Sequence, residues 1–369
     1  MRLNNKTHTT GSADSAHCPY LRIGVTTRCN YDCRYCPSVP TDSPPSVVRA
    51  ATCTSRPSSP EDPDQVLTDE DITTIIRAAT CATAGVRKVR LAGGEPTQRP
   101  GLDRLVAAIS RIDPISHVCM TTNGTTLGDH IHDLIRAGLN SLNLRVWSLM
   151  PNRYEALTGG GSLSVALAGL DAAQAAGLTD VHVTVPVVRG ENDDEIESFV
   201  NLAVWRSITV RFMEHDTPLA VGAPGAVTAQ EIQDRILSQH TLETISQPAL
   251  GGPARVYSVD RGAGRVEIST CLSRPPCWRC NRLDVSHDGF LRACPLRPFV
   301  IDLKPLLEHR DASSLLEQAF EDALWEKKQV RPFTQNRGLS DAGPATREPV
   351  HEVKPPIVTR LDRTPVGGP

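Results

Sequence analysis

The chain has 369 residues, with 39 lysines and arginines against 42 aspartates and glutamates, for a formal charge of −3. That balance is too neutral for a protein whose main partner is nucleic acid. With 39% apolar residues the chain can bury a core over one large domain or two smaller ones, which excludes wholesale disorder. No apolar run reaches the roughly 18 residues that span a bilayer, and the polar start MRLNNKTHTTGSADSAH lacks the apolar stretch of a signal peptide. A cytoplasmic protein without membrane contact is expected.

Two periodicities alternate along the chain. LRIGVTT (21–27) reads as a strand, and after an interruption a helix runs from Thr68 with Ile72, Ile75, Ile76 and Ala79 on its buried face. KVRLA (88–92) is followed by a helix with Leu102, Leu105, Val106 and Ile109, and HVCMTT (117–122) by a helix that Gly138 stops. LNLRVW (142–147) leads to a helix ending near Gly177, VHVTVPVV to a helix opened by Asn192-Asp193-Asp194-Glu195, and TVRFME to a helix begun by a Thr228–Glu231 capping box. Six βα units predict a parallel sheet with helices outside, as a partial barrel or a doubly wound sheet. In a barrel the chemistry sits at the C-terminal ends of the strands.

Residues 37–67 interrupt the first unit with seven prolines and six serines in 31 positions, a composition that forms no packed element. Beyond the last unit, ARVYSVD and GRVEIST read as a hairpin around Arg261-Gly262-Ala263, and a helix is expected near 313–327. The expected organisation is a tail over 1–20, a barrel over 21–239 containing the 37–67 insertion, a smaller unit over 240–335 and a Pro-rich tail over 336–369.

The chain has eleven cysteines. Cytosolic redox poise keeps thiols reduced, so clustered ones bind metal or react. Six form two tight groups: Cys29, Cys33 and Cys36, then Cys277, Cys280 and Cys294; Cys18, Cys53, Cys81, Cys119 and Cys271 are scattered. CNYDCRYC follows directly on a strand. Three thiolates hold three irons of a cubane 4Fe-4S cluster and leave the fourth open to a ligand. An incomplete zinc site is the alternative on spacing alone. GGEP (93–96), just after the second strand, adds two glycines that let backbone approach a ligand and Glu95 to fix a cationic amine. The second group, CWRCNRLDVSHDGFLRAC, flanks a turn at His287-Asp288-Gly289. By spacing it favours zinc, with Cys271 as a conceivable fourth ligand.

C-x3-C-x2-C followed one strand later by GGEP resembles the radical S-adenosylmethionine enzymes. The ordered phrases LRIGVTTRCNYDCRYC, GVRKVRLAGGEPTQRP, MTTNG, AGLNSLNL, DAAQAAGL, RGENDDEI, VRFMEH, GPAR and CNRL resemble the MoaA-like cyclases of molybdenum-cofactor synthesis, from about Leu21 to Cys294. The resemblance implies a partial (βα)6 barrel and a C-terminal extension that brings a second cluster to the barrel mouth. It implies two [4Fe-4S] clusters, on Cys29, Cys33 and Cys36 and on Cys277, Cys280 and Cys294, and S-adenosylmethionine cleaved reductively to a 5′-deoxyadenosyl radical. Tyr35, Gly93, Gly94, Glu95, Thr121 and Asn123 are the implied cofactor contacts. Arg22, Lys88, Arg90, His182, Arg211 and Arg282 are the implied nucleotide contacts, because guanidinium groups suit phosphate. No catalytic side chain beyond cluster and cofactor is implied. An electron donor such as flavodoxin or ferredoxin is expected, and a homodimer is compatible with the sequence.

Four positions depart from the family pattern. Ser-Leu-Asp after the fourth strand becomes Arg145-Val146-Trp147; a lysine of the fifth strand becomes His182, largely neutral at pH 7. Arg-x-Arg becomes Arg282-Leu283-Asp284, a change that matters because a unit charge pair at contact is worth on the order of 4 kcal/mol at intermediate dielectric. Arg279 or Arg274 could compensate. The terminal Gly-Gly has only an imperfect echo in Gly367-Gly368-Pro369. These changes lead to the expectation of radical cyclisation or rearrangement of a small molecule, a nucleotide other than GTP. The alternatives are the GTP 3′,8-cyclase of molybdenum-cofactor biosynthesis and, in another class, a non-catalytic metal-binding protein.

Overall fold

The computed structural model describes residues 20–36, 66–82, 85–214, 227–246, 254–270, 280–294 and 299–329. Nearly all of the 37–67 insertion and the two tails lie outside the described residues. Six strands and their helices follow in the expected order: β1 (Tyr20–Gly24), α1 (Asp69–Ala82), β2 (Lys88–Ala92), α2 (Leu102–Ser110), β3 (His117–Thr122), α3 (Leu127–Ala137), β4 (Ser141–Arg145), α4 (Pro151–Thr158), α5 (Leu163–Ala175), β5 (Asp180–Val187), α6 (Ile196–Arg206), β6 (Thr209–Glu214) and α7 (Ala229–Leu237). Helix starts follow their local chemistry. Thr68 and Asp71 exchange side-chain and backbone hydrogen bonds ahead of α1, and Thr228 and Glu231 form the expected capping box of α7. Gly138 ends α3 in the left-handed region at φ 115°.

Beyond α7 come β7 (Leu242–Thr244), β8 (Arg255–Val259), β9 (Arg265–Ser269), β10 (Arg282–Val285), β11 (Phe290–Arg292), β12 (Ile301–Asp302), α8 (Lys304–Leu307) and α9 (Ala312–Gln329). The hairpin expected around Arg261 is β8–β9, with Asp260 and Arg261 at φ 49° and 55° in its turn. Strands of this second half extend both edges of the parallel sheet, giving the order β12-β11-β10-β1-β2-β3-β4-β5-β6-β9-β8-β7. The result is an α/β fold of the radical S-adenosylmethionine type, with a mixed, unclosed sheet of partial-barrel form. Among the described residues no helix is long and apolar enough to cross a membrane.

Each central strand alternates sharply. Leu21, Ile23, Val89, Leu91, Leu142, Leu144, Val183, Val210 and Phe212 are buried on the face that the helices cover. The opposite face carries Arg22, Lys88, Arg90, Thr121, Asn143, Arg145, His182, Arg211, Glu267, Arg282 and Asp284, in register across the strands. On a flat sheet β1 and β4 would lie about 14 Å apart, at about 4.8 Å per strand. Yet Arg22 and Arg145 line one pocket, so the polar face is the concave one.

α9 packs on α1 and buries Leu316, Ala319, Phe320 and Ala323. Phe320→Ala is expected to cost about 3–5 kcal/mol, the range for deleting a buried aromatic ring. Urea unfolding measures it, and a loss below about 1 kcal/mol would show that α9 is not an integral part of the outer layer.

Candidate active site

The first cysteine group lies on the loop leaving β1, at the C-terminal end of the sheet. Cys29, Cys33 and Cys36 are half-buried and line one pocket with Arg22, Tyr31, Ala92, Gly93, Gly94, Glu95, Thr121, Thr122, Asn123, Arg145 and Trp147. Of the implied cofactor contacts, Gly93, Gly94, Glu95, Thr121 and Asn123 are therefore brought together with the thiols.

Backbone contacts hold the loop from several sides. Asp32 N–H donates to Thr158 O at 3.1 Å and Arg34 N–H to Leu157 O at 3.0 Å, docking it on α4. Tyr31 meets Tyr154 edge-on at 6.3 Å. Tyr35 Oη and Arg34 Nη1 both donate to Glu191 Oε1 at 2.9 Å, and Asn123 Nδ2 donates to Asn30 Oδ1 at 2.8 Å. On the β2 side Gly94 N–H reaches Thr26 O at 2.9 Å and Glu95 N–H reaches Arg28 O at 2.7 Å. The closeness that the glycines allow is thus to the cysteine loop itself. Gly93 has φ 134°, and a Cβ on Gly94 would fall 2.0 Å from Arg28 O.

Glu95 is 1% exposed. Its Oε1 accepts from Thr97 N–H (3.2 Å), Thr97 Oγ1 (2.8 Å) and Thr122 Oγ1 (2.6 Å), and its Oε2 accepts from Asn123 N–H at 2.7 Å. Burial pushes its pKa up, while those four donors pull the other way. No cation pairs with it among the salt bridges of the described residues, so a buried negative charge faces the pocket uncompensated.

Beneath the thiols the concave face is dominated by arginines. Asp284 bridges Arg22, at 3.7 Å, and Arg282, at 2.8 Å. Burial, with Arg282, Arg145 and Arg90 adding to it and Asp284 opposing, lowers the Arg22 pKa to about 10. Arg90 stacks over Tyr20 at 5.7 Å, and its Nε is buried without a partner. Burial likewise lowers the pKa of Lys88. Arg211 is paired with Glu267. His182 lies between Asp180, at 2.9 Å, and Glu267, at 3.9 Å. Burial works to raise the Asp180 carboxyl, but His182, Ser141 and Lys88 outweigh it and hold it below the usual range.

The second cysteine group is placed differently from expectation. β10 runs parallel to β1, so Cys280, just before it, sits at the N-terminal end of the strands, opposite the first group. The antiparallel β10–β11 pairing, continued two residues, brings Cys294 beside Arg282 at that same end. The extension therefore approaches the far opening of the barrel rather than the mouth that holds Cys29. Cys277, Cys271, Arg274 and Arg279 lie outside the described residues. Three thiols beside an open pocket are the donor type that suits a cubane cluster, in which each of three irons takes one thiolate. Among the described residues no group of three His, Cys, Asp or Glu side chains is arranged to hold a metal ion.

Several side chains that brace the site stood in visible motifs without any sign of what they touch. Arg99 joins Val25 O, Leu67 O and Asp69, tying the GGEP turn to the strand before the thiols. Buried Asn192 donates to Trp147 O and Pro186 O and accepts from Val188 N–H. Glu195 accepts from Ser148, Leu149 N–H and Arg153. These two residues hold the departing segment Trp147-Ser148-Leu149 in place. Their motif, RGENDDEI, was visible; its role as a clamp on another loop was not.

Gly94→Ala is expected to destabilise the chain by about 1–3 kcal/mol and to lower iron uptake on reconstitution, because the methyl group would displace the cysteine loop. Thermal melting and iron content read the two effects, and wild-type values for both would refute the tight packing. A carboxyl with a raised folded pKa binds its proton more tightly in the native state, so its ionisation costs stability as pH rises from the ordinary carboxylate range through the folded pKa. Wild type should therefore lose stability relative to Glu95→Gln as pH rises above the ordinary carboxylate range in urea unfolding. Parallel pH profiles would contradict a strained Glu95.

Residues 23–203 match the model of the Radical SAM superfamily, and residues 208–332 that of Molybdenum Cofactor Synthesis C. A relative from Pelotomaculum thermopropionicum named GTP 3′,8-cyclase is 38% identical over 309 residues, covering 81% of this chain and 89% of its own. One from Moorella thermoacetica with the same name is 36% identical over 287 residues, covering 77% and 83%. Among solved structures, Streptococcus suis SuiB bound to S-adenosylmethionine superposes with a TM-score of 0.54 at 12% identity, covering 84% of this chain and 68% of that one, which shows the fold alone. The name shared by the curated relatives overturns the expectation of a nucleotide other than GTP. That expectation counted His182 and Asp284 as lost phosphate contacts and did not credit Arg145 with joining the same concave face. The chain is a radical S-adenosylmethionine enzyme and belongs to the MoaA-like family.

Proposed function

We propose that this chain is a GTP 3′,8-cyclase of molybdenum-cofactor biosynthesis. The observation that carries the reading is the lumen itself, in which Arg22, Arg90, Arg145 and Arg282 converge with Asp284 as an opposing charge, between the first cysteine group at one end and Cys280 at the other. Such a field suits a polyanion. β1 has five residues at about 3.3 Å each, so the two ends of the lumen are separated by on the order of 15 Å, room for a single nucleotide.

In this reading Cys29, Cys33 and Cys36 hold one [4Fe-4S] cluster, and Cys277, Cys280 and Cys294 hold a second. When bound, the first cluster with S-adenosylmethionine supplies a 5′-deoxyadenosyl radical for hydrogen abstraction. The chain positions and shields. Glu95, short of a cation, receives the amine of the cofactor; Gly93, Gly94, Thr121 and Asn123 line its place, and Tyr35, fixed by Glu191, braces the loop between two of the thiols. Arg22, Lys88, Arg90 and Arg282 draw the phosphates inward. Arg211 and His182 are shared with carboxylates and contribute orientation more than free charge. A low-potential donor such as flavodoxin or ferredoxin supplies the electron, and the barrel over 21–239 and the extension over 240–335 each bring one cysteine group.

Anaerobically reconstituted, reduced protein should hold about eight irons, four for each cluster. It should release 5′-deoxyadenosine only when GTP is present, together with a cyclised nucleotide. Release indifferent to GTP would refute the substrate, and no release from protein with a full first cluster would refute the enzyme reading. About four irons would remove the second cluster from the proposal.

A further inference from the structure

Arg145 is a half-buried cation without a carboxylate partner among the described residues. It ends β4 on the concave face and lines the pocket of the thiols together with Arg22. Its Nε is buried without a hydrogen-bond partner. Desolvating a guanidinium donor and leaving it unmatched costs free energy that a ligand oxygen can restore. Meanwhile Asp284, 1% exposed, occupies both Arg22 and Arg282. Around Arg22 four guanidiniums meet Asp284, and Glu95 lines the same pocket, so positive charge is in excess there; Arg145 has neither a carboxylate partner nor the aromatic ring that Arg90 stacks on.

We propose that Arg145 is the specificity-determining residue of the nucleotide's polyphosphate subsite, supplying from β4 the anion contact that Asp284 withdraws from Arg22 and Arg282 on β1 and β10. The assignment rests on the triphosphate reading above and deepens it. A single carboxylate, such as that of the methionine moiety of the cofactor, would meet Arg145 alone; a polyphosphate carries enough charge to meet Arg145 together with Arg22, Arg90 and Arg282. The planar fork suits phosphate oxygens bidentately. Arg145 and Asp284 face the same arginine, Arg22.

The test uses the full chain, reconstituted anaerobically, and reads equilibrium binding of inorganic tripolyphosphate, GTP and S-adenosylmethionine to wild type, Arg145→Ser and Arg145→Lys. Arg145→Ser should lose about tenfold or more in affinity for tripolyphosphate and GTP, the scale of a charge-assisted hydrogen bond. Cofactor affinity should hold within about twofold, well under one charged contact. Arg145→Lys should recover part of the loss, since it keeps the charge without the fork, and it carries the comparison if melting shows Arg145→Ser to be unfolded. Weakened cofactor binding with unchanged tripolyphosphate binding would assign Arg145 to the methionine carboxylate and overturn the proposal. Unchanged affinities throughout, or a wild type that does not bind tripolyphosphate, would overturn it as well. A wild type that binds tripolyphosphate, loses it in Arg145→Ser and yet shows no GTP-dependent 5′-deoxyadenosine release would refute the GTP reading while supporting the subsite.

Discussion

The alternation of side chains along a parallel sheet that curls is the constraint from which the rest of this molecule follows. Helices must cover the apolar face, because βα connections place them there and Leu21, Leu91, Leu144 and Phe212 have no other shelter. The charged face is then left to the concave side, where guanidinium groups from strands far apart in sequence come within each other's field. In water these charges would be screened and cheap; in a half-desolvated lumen their repulsion is stored until an anion or a carboxylate relieves it. The depressed pKa of Arg22 comes first from burial, with the neighbouring guanidiniums adding to it and Asp284 opposing.

The mouth of the barrel is organised by a different principle. A loop carrying three thiols has no regular hydrogen-bond ladder of its own, so its backbone groups must find partners elsewhere. They find them on α4 and in the turn after β2, and two glycines there allow main chain to touch main chain. Glu95 locks the far side of that turn to the end of β3. Its carboxyl is consequently both a structural acceptor and a buried acidic group at the pocket, so the group that fixes the turn also lines the site.

Much of this was legible in the sequence. The six βα units, the caps at Thr228 and Gly138 and the β8–β9 hairpin all rest on local periodicity or on local turn chemistry, and they appear where those signals put them. What was not legible is what depends on pairing between distant segments. That β9 joins β6 while β10 joins β1, so that one C-terminal half borders both edges of the sheet, is a long-range choice with no local signature. It decides on which end of the barrel Cys280 and Cys294 lie. Arg99, Asn192 and Glu195 escaped for the same reason, since each acts on a loop some thirty or more residues away.

The substrate expectation failed in an instructive way. Read position by position, Asp284 and His182 look like the loss of phosphate partners. A lumen does not read charges by position. Strands on opposite walls contribute to one potential, so a carboxylate introduced on β10 and a guanidinium introduced on β4 offset each other although 139 residues separate Arg145 from Asp284. Geometry differs from net charge, however. A cation on the β4 wall acts on an anion in the lumen from another side, and nearer the thiols, than a cation on the β10 wall would. Sequence divergence at such a site therefore reports where the ligand is held more directly than it reports which ligand is held.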